Sequence, residues 1–189
     1  PGAKLLVFNG RDGEWQASLI ESRKRTAVLN IEQQTRPQEQ GPDIDYLFAP
    51  LKRSRLDYMV QKATEMGVRR LRPVITERTI AERVNGERML ANAIEAAEQC
   101  GILRVPEVEP PVSLETALAA WDPARALIYC DEHETAADPI ATLRKVPAGP
   151  VAVLIGPEGG FSNGERSRLL VNSYVVPLPL GPRIMRADT

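Results

Sequence analysis

Two short segments near the C-terminal end carry residue types that could hold a ligand and act on it: LIGPEGGFS at 154–162 and LGPRIMRADT at 180–189. In the first, Gly156, Gly159 and Gly160 remove side chains, so that a ligand's flat face or edge can meet the backbone. In the second, Arg183 and Arg186 stand three apart and could hold an anion or stabilise developing negative charge. A third segment, KRSRLDYMVQKATEMG at 52–67, puts Lys52, Arg53 and Arg55 at the start of a predicted helix. The helix macrodipole disfavours cations there, which hints at an external anion such as phosphate.

The spacing also excludes chemistries. GPEGGFS is not followed by the Gly-Lys-Ser/Thr of a Walker loop, and it carries no G-x-G-x-x-G. Cys100 and Cys130 lie far apart and the chain has one histidine, His133, so no zinc site is expected. The two thiols suit small buried positions in a reducing, cytoplasmic setting. The 189 residues carry 24 basic and 25 acidic side chains, a formal net charge of −1, so global charge announces no polyanion partner and any basic patch must be local. No apolar run approaches the roughly 18 residues of a membrane span.

These loops need elements to position them. KLLVF (4–8), the turn-rich Asn9-Gly10-Arg11-Asp12-Gly13, EWQASLI (14–20) and TAVLNIE (26–32) predict a small antiparallel or barrel-like module. Residues 34–43, rich in Gln, Pro and Gly, read as a linker. From 44 on, strands at 44–49, 71–75, 126–130, 151–155 and 175–180 alternate with helical patterns. Ser54 is the expected N-cap of the first helix, where Leu56, Met59, Val60, Ala63 and Met66 recur at helical spacing before Gly67. A second helix is expected over about 87–100. Ser113 caps a third, a shorter one covers about 137–145, and Ser162 with Glu165 makes a capping box for a helix at about 163–171. Alternation of this kind predicts an α/β domain with a mainly parallel sheet, in which ligands bind beyond the carboxyl ends of the strands. Pro1 at the start and the stop after Thr189 predict that the natural chain extends past both ends.

Taken together, KRSRLDYMVQKATEMGV (52–68), ERT (77–79), EAAEQCG (95–101), IGPEGGFS (155–162) and LGPRIMRADT (180–189) resemble the RsmE-type ribosomal RNA methyltransferases of the SPOUT superfamily. The matching stretches follow the family's order and cover most of residues 44–189. Residues 4–32 resemble the family's PUA-like β domain without its first part. The resemblance implies a partial PUA-like RNA-binding domain at 1–33, a linker at 34–43 and a trefoil-knotted methyltransferase domain at 44–189. It further implies methylation of N3 of a uridine in bacterial 16S ribosomal RNA by S-adenosyl-L-methionine, in a cytoplasmic homodimer without metal.

Carried onto this chain, the cofactor residues are Leu154, Ile155, Gly156, Pro157, Glu158, Gly159, Gly160, Leu180, Gly181, Ile184 and Met185. Residues near Cys130 and Asp131 line the remaining side. Met185 and Asp188 stand where the family commonly has Leu and Glu, and the family's final helix, which follows this stretch, is not in the sequence. Arg186 first, and Arg183 second, are the expected stabilisers of the uridine anion. Lys52, Arg53, Arg55 and Arg11 are the expected RNA contacts. Two other readings stand beside this one: a SPOUT enzyme acting on another RNA site or base atom, and a non-catalytic RNA- or nucleotide-binding module.

Overall fold

The computed structural model describes residues 2–80, 83–134, 138–181, 183, 185 and 186. Strands β1 (Lys4–Phe8), β2 (Glu14–Arg23) and β3 (Thr26–Arg36) form an antiparallel sheet in that order. Asn9 Oδ1 accepts the backbone N–H groups of Arg11 and Asp12, both at 2.9 Å, and so shapes the β1–β2 turn. Strand β3 runs on to Arg36, paired with Glu14, so residues 34–36 are strand rather than linker.

The larger unit contains β4 (Ile44–Phe48), α1 (Arg53–Glu65), β5 (Arg70–Ile75), α2 (Gly86–Cys100), β6 (Glu107–Val108), β7 (Val112–Ser113), α3 (Leu114–Ala119), β8 (Ala126–Cys130), α4 (Pro139–Leu143), β9 (Val151–Ile155), α5 (Asn163–Leu170) and β10 (Val175–Leu178). Its sheet has the order β10-β8-β9-β4-β5-β6, with β7 also on β5, and every pairing is parallel. Strand β10 is an edge, which is why Pro177 is tolerated within it.

Side chains alternate across this sheet, so each strand feeds two cores. Leu47, Val74, Leu127, Tyr129 and Leu154 pack with α3 and α5 through Leu114, Ala117 and Leu169. Phe48 and Leu71 pack with α1 and α2 through Leu56, Met59, Val60, Met89 and Ala93. The result is three layers with helices on both faces.

Helix α1 begins two residues earlier than the capping signal predicts. Lys52, not Ser54, is the N-cap, and no side chain caps the turn. Burial decides the start: Leu51 and Leu56 are both fixed in the core on either side of this turn. The carbonyl of Lys52 accepts from Arg55 and Leu56, at 3.0 and 3.3 Å. The other end follows the sequence signal. Gly67 takes φ +80°, and Val68 N–H donates back to Ala63 O at 3.1 Å.

Candidate active site

The first glycine loop joins β9 to α5. Strand β9 is inserted between β8 and β4, with Tyr129 and Leu47 opposite a fully buried Leu154. Gly160 N–H donates to Pro157 O at 2.9 Å, which closes a turn at Gly160, φ +66°. A Cβ on Gly160 would run into the Glu132 carboxylate, and one on Gly156 would sit 2.5 Å from the Phe161 ring. That ring is buried edge-on to Tyr129, with centroids 5.3 Å apart. Both glycines are therefore demanded by packing as well as by any ligand. The expected capping box is present: Ser162 Oγ accepts from Glu165 N–H, and Glu165 returns a bond to Ser162 N–H.

Glu165 does more than cap. Its side chain is 3 % exposed and also accepts Glu77 N–H at 2.8 Å, from the loop after β5. In that loop Thr79 Oγ1 accepts Thr76 N–H at 2.8 Å, and Arg78 Nη1 donates to Gly159 O at 2.8 Å. The 76–79 loop thus braces the glycine loop from the side. Sequence spacing shows Glu165 as a cap and gives no sign of this reach. Glu165→Ala leaves two backbone donors without their carboxylate, so a loss of about 2–4 kcal/mol in urea unfolding is expected, together with weaker ligand binding at the glycine loop.

Next to β9, strand β8 is followed directly by Asp131, which is 1 % exposed. It receives Arg166 from α5, Nη2 at 2.9 Å and Nε at 3.0 Å, and the backbone N–H of His133 at 3.1 Å. The bond to Asp131 raises the Arg166 pKa. Asp131 N–H in turn donates to Leu178 O at 3.1 Å, tying the end of β8 to the end of β10. Burial pushes the Cys130 thiol up to about 11. Burial, reinforced by the Asp131 charge, raises the Tyr129 phenol. Both groups therefore stay protonated at neutral pH and offer neither nucleophile nor base.

The second loop leaves β10 on the far side of β8. Neighbouring strands lie about 4.8 Å apart, so the two glycine loops start roughly 10 Å apart, with the Asp131 loop between them. Leu180, Gly181, Arg183, Met185 and Arg186 are exposed. Gly181 takes φ +107°, and a Cβ there would meet nothing within 4 Å. Ile184 and Asp188 lie outside the described residues. Of the basic cluster, Lys52 and Arg53 are exposed, whereas Arg55 forms an ion pair with Glu158 of the first loop. Arg11 is on the β1–β2 turn, in the other sheet, and is exposed. Among the described residues, no group of three or more His, Cys, Asp or Glu is arranged to hold a metal.

A family model described as an RNA methyltransferase domain matches residues 38–189. The chain is 28 % identical over 186 residues to a protein of Rickettsia conorii named ribosomal RNA small subunit methyltransferase E, spanning 98 % of this chain and 75 % of that relative. Among solved structures, a ribosomal RNA small subunit methyltransferase E from Neisseria gonorrhoeae, bound to S-adenosyl methionine, superposes with TM-score 0.86 at 26 % identity. That match covers all of this chain and 78 % of the other. A Legionella pneumophila protein in complex with the bound cofactor SAM gives TM-score 0.82 at 31 % identity, over 99 % of this chain and 78 % of that one.

Proposed function

The chain belongs to the RNA methyltransferase domain family, and on that premise we propose that it methylates N3 of a uridine in bacterial 16S ribosomal RNA with S-adenosyl-L-methionine. The observation that carries this reading is the placing of two glycine-bearing loops at the carboxyl ends of β9 and β10, on either side of the β8 end. The residues present fit such a cofactor. The open space at Gly181 and the side-chain-free edges of Gly159 and Gly181 leave room for an adenine against the main chain. Backbone groups of Leu154, Ile155, Gly156, Pro157, Glu158, Gly159 and Gly160 would hold it on one side. Those of Leu180, Gly181, Ile184 and Met185 would hold it on the other. When bound, it supplies an electrophilic methyl group on a sulfonium.

The chain's own part is to orient the base and hold its charge. Uridine N3 reacts only as its proton leaves, and the charge that develops on the ring is met by Arg186 first and Arg183 second. Arg186→Ala is expected to lower kcat by about 10²-fold, the scale of one lost charge-stabilising donor, with cofactor affinity near wild type. Steady-state kinetics beside calorimetric titration of the cofactor checks this, and loss of cofactor binding with turnover per bound cofactor intact removes the assignment.

Lys52, Arg53, Arg55 and Arg11 are assigned to RNA phosphates. Residues 1–36 would be part of a PUA-like RNA-binding unit, 37–43 a connection, and 44–189 a SPOUT unit with a trefoil knot, working in the cytoplasm as a homodimer. Nucleoside mass spectrometry of 16S rRNA from cells with and without the gene tests the function. Loss of N3-methyluridine on deletion supports it, and an unchanged level refutes it.

A further inference from the structure

A shallow hollow opens at the carboxyl ends of β4 and β9, beside the proposed cofactor loops. It is lined by Pro50, Leu51, Lys52, Ile80, Pro157 and Glu158. Four of these are apolar and two are oppositely charged. Pro50, Leu51 and Pro157 are buried, so the hollow is a dimple whose exposed rim is Ile80, Lys52 and Glu158: an apolar contact for the face of a pyrimidine ring and charges for its hydrogen-bonding edge. The match is more specific than that. Along its N3 edge uracil presents one donor, N3–H, between two carbonyl acceptors. A carboxylate takes the donor and an ammonium gives to an adjacent carbonyl. Cytosine presents a lone pair at N3, which a carboxylate repels.

The geometry points to this hollow as the seat of the target uracil, with Glu158 as the group that receives its N3 proton. The inference rests on the function proposed above and assigns that reaction its missing proton acceptor. Arg55 Nη1 pairs with Glu158 Oε1, and among the described residues Oε2 has no hydrogen-bond partner. One oxygen is therefore anchored and the other is available. Both side chains are about two-fifths exposed, so the pair stands at the rim, where a base can reach it. Arg55 of α1 pairs with this carboxylate, and Lys52, just before α1, lines the same hollow. Arg78, from the loop after β5, is bound next door at Gly159 O.

The loop bearing Glu158 is also a wall of the cofactor site, so a base in the hollow meets the methyl donor at the boundary of the two. Oε2 takes the N3 proton as the N3 electron pair forms the bond to the methyl carbon. With S-adenosyl-L-methionine bound, the carbon–sulfur pair would stay on sulfur as a neutral thioether, and the proton would later pass from Glu158 to water.

The test compares the wild type, Glu158→Gln and Arg55→Gln on small-subunit rRNA with S-adenosyl-L-methionine across pH. Glu158 is exposed, so the glutamine variant keeps the fold. General base catalysis contributes about 10²–10⁴-fold, and the expected result is a kcat at least 10²-fold lower for Glu158→Gln at neutral pH. That deficit shrinks as pH rises toward the range where the imide ionises by itself. Arg55→Gln, which keeps the carboxylate but loses its ion-pair partner, weakens RNA binding and retains more kcat at neutral pH than Glu158→Gln. Cofactor binding by Glu158→Gln is read in parallel as a thermal shift, and kcat is compared at saturating cofactor, so that a loss of cofactor is told apart from a loss of base catalysis. In equilibrium binding, the wild type prefers RNA with uridine over cytidine at the target by roughly tenfold or more, and Glu158→Gln loses that preference. Wild-type kcat in Glu158→Gln, or a deficit that stays constant with pH, overturns the inference while leaving the proposed function standing. A wild type that makes no N3-methyluridine overturns both.

Discussion

Alanine at position 156 is expected to abolish cofactor binding in the measurable range and to lower stability by about 1–3 kcal/mol, the cost of forcing a methyl group into a packed core. The added Cβ would lie 2.5 Å from Phe161 Cε2 and 2.8 Å from its Cδ2. Phe161 cannot retreat cheaply, because it is buried against Tyr129 and shares a core with Leu47 and Leu154. The loop must move instead, and Pro157 to Gly160 move with it. A displacement near 1 Å at such a site costs on the order of 10²-fold in turnover. Calorimetric titration of S-adenosyl-L-methionine and urea unfolding measure the two effects. Wild-type affinity in a folded Gly156→Ala protein would show that the first loop is only a turn.

Asp45→Ala is expected to be the most destabilising single change, about 3–5 kcal/mol, as when one partner of a buried ion pair is removed. Asp45 is fully buried on β4. Arg70 grips both its oxygens, at 2.7 and 2.6 Å, while Arg72 and Arg125 approach at 3.4 and 3.5 Å. Glu109 and Asp43 share these arginines at 2.8 and 3.0 Å, but neither replaces the central carboxylate. For a domain of this size the loss lowers Tm by about 6–20 °C. Asp45 lies toward the start of β4, away from the strand ends that bear the loops. At low temperature, kcat of the folded variant should therefore stay near wild type. A Tm within 2–3 °C of wild type, on the order of 1 kcal/mol, would show that the arginines find other partners.

What the sequence reveals and what it hides follows from the range of each interaction. The Ser162–Glu165 box, Gly67 after α1 and the alternation of strands with helices are local, and local patterns read correctly. The start of α1 misled because Ser54 is a good capping residue, whereas burial of Leu51 and Leu56 set the actual turn. The short strands β6 and β7 carry too few residues for periodicity to register. At the site, the glycine loops and the basic cluster are visible as residue types. Their connections are not. Glu165 reaches Glu77 across 88 positions, Arg78 reaches Gly159 across 81, and Arg55 reaches Glu158 across 103. Only the strand order brings such pairs together. The same limit hid the pairing of Asp131 with Arg166, although the family resemblance already puts Asp131 beside the cofactor loops.

The insertion of β9 between β8 and β4 sets the order in which the molecule can be assembled. Leu47 has Leu154 as its neighbour in the sheet, so one side of β4 stays open until most of the chain has been made. Closing so long a loop is slow compared with forming α1 or α2. A nascent chain that has released only β4 through β8 can build the α1–α2 layer, but it has no glycine loop and no Arg55–Glu158 pair. Ligand-binding competence therefore waits until β9 and the loop after it have been made, and a chain cut short before β9 is inert rather than partly active.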